Sequence, residues 1–182
     1  YIDSTTITYI GNGEIISFTV SREKRELSVG LSLQSFVDCG VIDSAQKQIA
    51  SAMELKKVHL KPKFPKSMFS LDLMPKVFDY VKHEVPAANG FFDDAEAELE
   101  ERTLTVCLKK GGKEVLESQK VDRAISNKIY ELFDIDYVVN FLEVQAFDME
   151  KAVKQAVEER RAIEQQKKEE EEKNVFHELW DE

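Results

Sequence analysis

Alternating hydrophobic and polar positions occur in two blocks of this chain, each interrupted by segments with helical spacing. Glu14 to Val20 (EIISFTV) and Glu26 to Leu33 (ELSVGLSL) read as strands. Leu27, Val29, Leu31 and Leu33 fall on one face, the period of a half-buried strand. The polar turn Ser21 to Arg25 between them predicts a hairpin. Ahead of it, Ile7 to Ile10 is a short β-branched run closed by the turn signal Gly11-Asn12-Gly13. Asp43 is expected to cap a helix over AQKQIASAMEL, with Val41, Ala45, Ile49, Ala52 and Met53 on one face. Leu55 to Leu60 returns to alternation. The first block, residues 1–62, therefore reads β-β-α-β.

Pro62 and Pro65 break the pattern, so KPKFPK is drawn as an extended connector and residues 63–69 separate the two blocks. Ser70 is expected to cap a helix reaching about Val85, with Leu73, Val77, Tyr80 and Val81 facing the core and Pro75 tolerated in its first turns. Pro86 ends it, and Asn89-Gly90 marks a turn. Ala95, Ala97 and Leu99 then alternate with Glu96, Glu98 and Glu100, a strand with one acidic face. Thr103 to Leu108 returns beside it, and Gly111-Gly112 stops that strand. A short helix begins at Glu114 and lapses near Ser118-Gln119-Lys120. A second runs from its expected cap at Asp122 to Phe133, with the stripe Ala124, Ile125, Ile129, Leu132 and Phe133. Tyr137 to Val144, dense in β-branched and aromatic residues, predicts a buried strand. The second block, residues 70–147, reads α-β-β-α-α-β, and the fold class is α+β.

Residues 148–182 are a charged lead-out. Met149, Ala152, Val153, Ala156 and Val157 give it an apolar stripe for two turns, and QQKKEEEEK then reads as a solvated helix or linker. The apolar cluster Val175 to Trp180 beyond it suggests that the native chain continues. The opening on Tyr1 in place of Met leaves room for further residues upstream.

Composition places the chain among globular domains: 42% hydrophobic and 33% charged residues, in a length that supports one sizeable core or two small ones. Cys39 and Cys107 stand far apart in no CxxC pattern, as small buried hydrophobes of a reducing cytoplasm. No apolar run approaches the ~18–20 residues that span a bilayer, so no membrane partner is expected. The net charge of -10 is uneven: residues 1–85 carry 11 basic and 10 acidic side chains, residues 86–147 carry 7 and 13. Such a surface does not attract phosphate backbones as a whole, and any nucleic-acid contact belongs to the first part.

Candidate chemistry is sparse. His59, His83 and His177 have no ligand partner at helical or CxxC spacing, and read as ordinary histidines. The carboxylates Asp93, Asp94, Glu96, Glu98, Glu100 and Glu101 lie along a strand and do not converge as metal ligands must, which fits a solvated face. Gly111-Gly112 lacks the Lys-Ser/Thr of a phosphate loop and is explained by a tight turn. Lys56, Lys57, Lys61, Lys63 and Lys66, interleaved with Phe64 and Phe69, form the one basic and aromatic segment. Two readings stay open for it: contact with a nucleic-acid backbone, or a connector whose lysines stay in water while its aromatics pack. No nucleophile-base pair or paired carboxylates stand out, and no small-molecule ligand is expected.

The order α-β-β-α-α-β is similar to that of a type II KH domain. Nucleic-acid-binding members clamp phosphates with a GxxG loop between the two consecutive helices. Here that place is held by Glu117-Ser118-Gln119-Lys120, and the chain has no GxxG, so a protein-binding role is the expectation. The strings VHLKPKFPKSMFS, NGFFDDAEAELEERTLTVCLKKGGKEVL and YELFDIDYVVNFLEV resemble the N-terminal region of PolC-type DNA polymerase III alpha subunits of low-GC Gram-positive bacteria, in a clostridial form. The second block is also similar to the C-terminal domain of the clamp-loader tau subunit. The resemblance implies a cytoplasmic replicative DNA polymerase with a 3′–5′ exonuclease and Mg-dependent chemistry, all beyond Glu182. It implies no catalytic residue, metal or cofactor within this chain. Its implied role is accessory: contact with tau or another replisome protein, or, as the alternative, holding DNA near the polymerase through the Lys56–Lys66 segment.

Overall fold

Residues 3–143 are described by a computed structural model, and the first element they form differs from the sequence reading. Ser4–Ile10 is a helix, α1. The Asp3 carboxylate accepts the Thr6 N–H at 2.7 Å, and the Thr8 hydroxyl donates to the Ser4 carbonyl at 2.8 Å. An N-cap of this kind is worth about 1 kcal/mol and offsets part of the few tenths by which each β-branched residue disfavours a helix; packing of α1 on α2 supplies further support.

Glu14–Ser21 (β1) and Glu26–Ser32 (β2) form the expected antiparallel pair, with Phe18 opposite Val29 and Val20 opposite Leu27. The following helix, α2, spans Cys39–Ala52 and is entered from Asp38, not Asp43. Its buried positions are accordingly Ile42 and Ala45, and Met53, expected on the apolar face, is exposed. Lys57–Lys63 (β3) lies parallel to β2 and runs through Pro62, where a break was expected. Pro62 is accommodated because β3 is an outer strand. The amides on either side of it in alternation, Leu60 and Phe64, point away from β2, to Gln46 Oε1 at 2.9 Å and to the Leu132 carbonyl at 2.6 Å. Proline therefore removes a donor only from the free edge.

Two single 3-10 turns, Lys66–Met68 and Leu71–Leu73, precede the helix Met74–Glu84 (α3), which starts later than the Ser70 cap predicted and carries Pro75 in its first turn. Glu96–Glu100 (β4) and Thr103–Leu108 (β5) are antiparallel. Lys113–Ser118 (α4) and Val121–Phe133 (α5) cross to Val138–Glu143 (β6), which is parallel to β5. The chain enters α5 through Lys120 at φ 55, so Asp122 sits in the first turn and is not the cap; a carboxylate there still faces the helix's positive end. The expected buried strand is an outer one: Val139 and Phe141 are buried, while Val138 and Leu142 face solvent. The charged segment expected over 148–182, its Val175–Trp180 cluster and His177 lie outside the described residues.

The result is an α+β fold with one topology used twice. Each half has a helix, an antiparallel pair and a helical crossover to a third strand parallel to the second. The halves share a core. Phe36 and Phe64 of the first stack or tilt against Phe133 of α5, at 6.3 and 5.7 Å between ring centroids. The buried Tyr80 hydroxyl of α3 donates to the Val37 carbonyl at 2.7 Å, and burial raises its pKa. Among the described residues no helix is long and apolar enough to cross a membrane.

Candidate functional site

Two surfaces of the first sheet, strand order β1-β2-β3, stand out in this fold. The first is the outer strand β1. Ile15, Phe18 and Val20 share a face with their partners Leu31, Val29 and Leu27, yet only the β2 residues are buried. Phe18 is 61% exposed, Ile15 62% and Val20 50%. Ile7 and Tyr9 of α1 are also exposed. An aromatic and β-branched row costs solvation free energy, on the order of 1.5–3 kcal/mol for each side chain when fully exposed. The eight-residue strand has no proline, and its only charge is Glu14 at one end. Among the described residues no hydrogen bond reaches its outer edge.

Two of the other three outer strands are guarded. The β3 edge is closed by the Gln46 amide, by Pro62 and by the Leu132 carbonyl. On β4, Glu96, Glu98 and Glu100 are exposed in a row, a charged edge of the kind that resists further pairing. β6 is shorter than β1, exposes Val138 and Leu142, and ends at Glu143, whose carboxylate accepts the Lys113 N–H at 2.7 Å.

The second surface is a groove of ≈ 590 Å³ along β3, lined in part by α2, α3 and α5. Lys57, His59, Lys61 and Lys63 alternate on β3 with the buried Val58, Leu60 and Pro62, so one sheet face carries all four. Their cross-strand partners on β2 are Glu26, Ser28, Gly30 and Ser32, and Ser17 and Thr19 of β1 continue the row. The acids that line the groove are already engaged. Asp43 bridges His83 at 2.9 Å, and Glu84 and Glu131 both hold the Lys128 ammonium. Lys128 is only 6% exposed. Burial by itself would lower its pKa, but the hydrogen bonds to Glu131 and Glu84 outweigh that and raise it. Among the described residues no ion pair engages Lys57, Lys61 or Lys63.

The five lysines singled out in the sequence therefore separate. Lys57, Lys61 and Lys63 share a face, Lys56 precedes β3, and Lys66 is bound to Asp134 at 2.9 Å, holding that carboxyl below the usual range. Phe64 is buried and Phe69 leans on Phe133, so the aromatics of this segment belong to the core. Sequence reasoning missed Tyr130. It lies off the apolar stripe of α5, lines the same groove and is 53% exposed. An aromatic residue outside a helix's core face was the signal available.

The remaining candidates have structural accounts. Glu96 pairs with Lys109, and Lys110 lies 3.6 and 3.7 Å from Asp93 and Asp94. No group of three or more His, Cys, Asp or Glu among the described residues is arranged to hold a metal. Gly111 and Gly112 adopt φ 73 and 98, and a Cβ on Gly112 would meet the Phe91 ring at 2.2 Å, so the turn itself requires glycine. Cys107 is buried as expected and Cys39 only partly so; both have pKa values raised chiefly by burial, the opposite of an activated thiolate. No family model, curated protein or solved structure matches this chain.

Proposed function

We propose that this chain is the non-catalytic N-terminal region of a cytoplasmic, replicative PolC-type DNA polymerase and that it serves as a protein-interaction module of the replisome. One observation carries the interaction reading: β1 is an open outer strand whose row Ile15, Phe18 and Val20 is exposed and whose one charge is the terminal Glu14, whereas β3 is closed and β4 is acidic. Such an edge accepts an extended strand from a partner, with main-chain hydrogen bonds giving affinity and side-chain contacts giving choice. An apolar, β-branched segment matches the row Ile15, Phe18 and Val20. The clamp-loader tau subunit is the leading candidate to supply it.

The α-β-β-α-α-β order of the second half supports its KH-like reading. The turn that would carry a phosphate clamp holds Ser118-Gln119-Lys120, with Lys120 in a left-handed conformation and no glycine. That favours protein contact over phosphate clamping at this turn. Polymerase and exonuclease chemistry, with its divalent metal, is assigned downstream.

Titration of the 182-residue chain with purified tau tests the reading. Wild type is expected to bind, and Phe18→Asp/Val20→Asp to weaken binding at least about ten-fold, because two desolvated charges would face the partner strand. Equal affinity of wild type and the double variant would remove β1 from the interface. The gene provides an independent check: exonuclease and polymerase domains should follow Glu182 in frame, and a stop codon close behind it would end the polymerase assignment.

A further inference from the structure

We infer that the groove along β3 is a binding track for single-stranded nucleic acid, with Lys57, Lys61 and Lys63 on the phosphates and Tyr130 as a stacking platform for a base. This site is separate from the β1 edge and does not depend on what occupies that edge.

Charge selects the ligand class. In a chain of net charge -10, Lys57, Lys61 and Lys63 line this groove without an ion pair, although Asp134 feels the charge of Lys63. The acids of the helices that line it are engaged elsewhere: Asp43 with His83, and Glu84 and Glu131 with the single ammonium of Lys128. Glu26, beside Lys57, is the acid that faces the row from β2. The lysine row, and not the groove as a whole, is therefore where anions are attracted.

Geometry narrows the class to a chain of anions. Alternate residues of a strand stand about 6.6 Å apart, so Lys57, His59, Lys61 and Lys63 mark a straight line of about 20 Å. A linear polyanion with one charge per repeat can follow such a line; a compact anion would use only one or two of its lysines. The adjoining sheet face adds the hydroxyls Ser17, Thr19, Ser28 and Ser32, groups that commonly donate to phosphate and sugar oxygens.

Tyr130 separates nucleic acid from an acidic peptide. A basic track flanked by an exposed ring is the arrangement by which proteins hold single strands without reading their sequence: backbone on the cations, base on the ring. A duplex offers no free base face to Tyr130. A polyglutamate chain offers no base at all.

The experiment is fluorescence anisotropy of a fluorescein-labelled oligothymidine with the 182-residue chain across a salt series. Micromolar binding is expected at low salt, weakening with a log–log slope of about -2, the value for about three phosphates neutralised on a single strand. Lys57→Glu/Lys61→Glu/Lys63→Glu should abolish binding. The milder Lys61→Gln/Lys63→Gln should weaken it about ten-fold, and both should keep the wild-type circular dichroism spectrum. The charge-matched control Arg22→Glu/Lys24→Glu/Lys47→Glu should stay within about five-fold of wild type. Tyr130→Ala should weaken binding by about five-fold or more, and Tyr130→Trp should restore it. The track is refuted by no binding at low salt, or by a control that loses as much as the groove triple. Polyglutamate binding as tightly as oligothymidine, with Tyr130→Ala silent, would make the groove an acidic-peptide site and equally refute it.

Discussion

The two halves of this protein run the same strand directions through the same order, and they differ in what they do with the sheet margins. In the first sheet the outer strand β1 is apolar and open; in the second the equivalent strand β4 carries Glu96, Glu98 and Glu100. The inner strands are alike, since Leu27, Val29 and Leu31 of β2 are buried as Leu104, Val106 and Leu108 of β5 are. Topology is thus specified by the middle strand and its crossover helices. The margins are left free to carry other chemistry. A single helix, α2, makes the first crossover, and the pair α4–α5 makes the second; α5 then serves both halves by reaching β3 and the groove.

If α5 joins the halves, the strongest way to break the comparison is to cut that junction. Phe133 is fully buried between Phe36, Phe64 and Phe69. Phe133→Ala is expected to cost about 3–5 kcal/mol. Urea unfolding followed by circular dichroism should show one transition at lower midpoint for the whole described region. Two separate transitions in the wild-type chain would show that the halves stand independently.

A smaller effect is expected at Lys128, which reaches from α5 to Glu84 of α3 and to Glu131 on its own helix. Glu84→Gln/Glu131→Gln leaves a buried ammonium with neutral acceptors, a loss of about 1–2 kcal/mol for weakened charged hydrogen bonds. The pH dependence has a definite sign. The folded pKa of Lys128 is raised, so its contribution is complete below the ordinary lysine value and is lost as pH rises through the raised one. Urea midpoints measured at increasing alkaline pH should fall more steeply in wild type than in the double variant.

The smallest stability effect, and the sharpest test of the margins, is to exchange their character. Glu98→Thr/Glu100→Thr on β4 should leave the melting temperature nearly unchanged, since exposed substitutions usually stay within about 0.5 kcal/mol. The same change should promote self-association at high concentration, visible by light scattering, because the charged guard of that edge has been removed. A monodisperse variant would show that β4 is protected by something other than its carboxylates.

Much of the fold was legible because period-2 and helical spacing persist where one face is buried. The hairpins of both halves and the stripe of α5 follow from that spacing alone. Misreadings arose where a local interaction or sheet position outweighed pattern. The Asp3 cap and packing against α2 hold a β-branched run as α1, and an outer-strand location lets Pro62 remain in β3. Val138 and Leu142 look like core residues in the sequence and lie in water because nothing described covers β6. The lysine row was visible as composition, but which lysines share a face depends on strand register. Tyr130 enters the groove only through the tertiary contact between α5 and β3, which no spacing rule reports.

That contact also sets an order of events during synthesis. The Phe64 amide, just past the end of β3, has its partner in the Leu132 carbonyl, near the far end of α5. At about 5–20 residues per second, several seconds separate the two on the ribosome. Through that interval the first half has its hairpin and its own helix but lacks Phe133 to close the ring cluster, so its folding is completed by residues translated later. A chain ended anywhere between Pro65 and Val121 would therefore be left with Phe36 and Phe64 lacking the Phe133 ring, the sort of intermediate that chaperones capture.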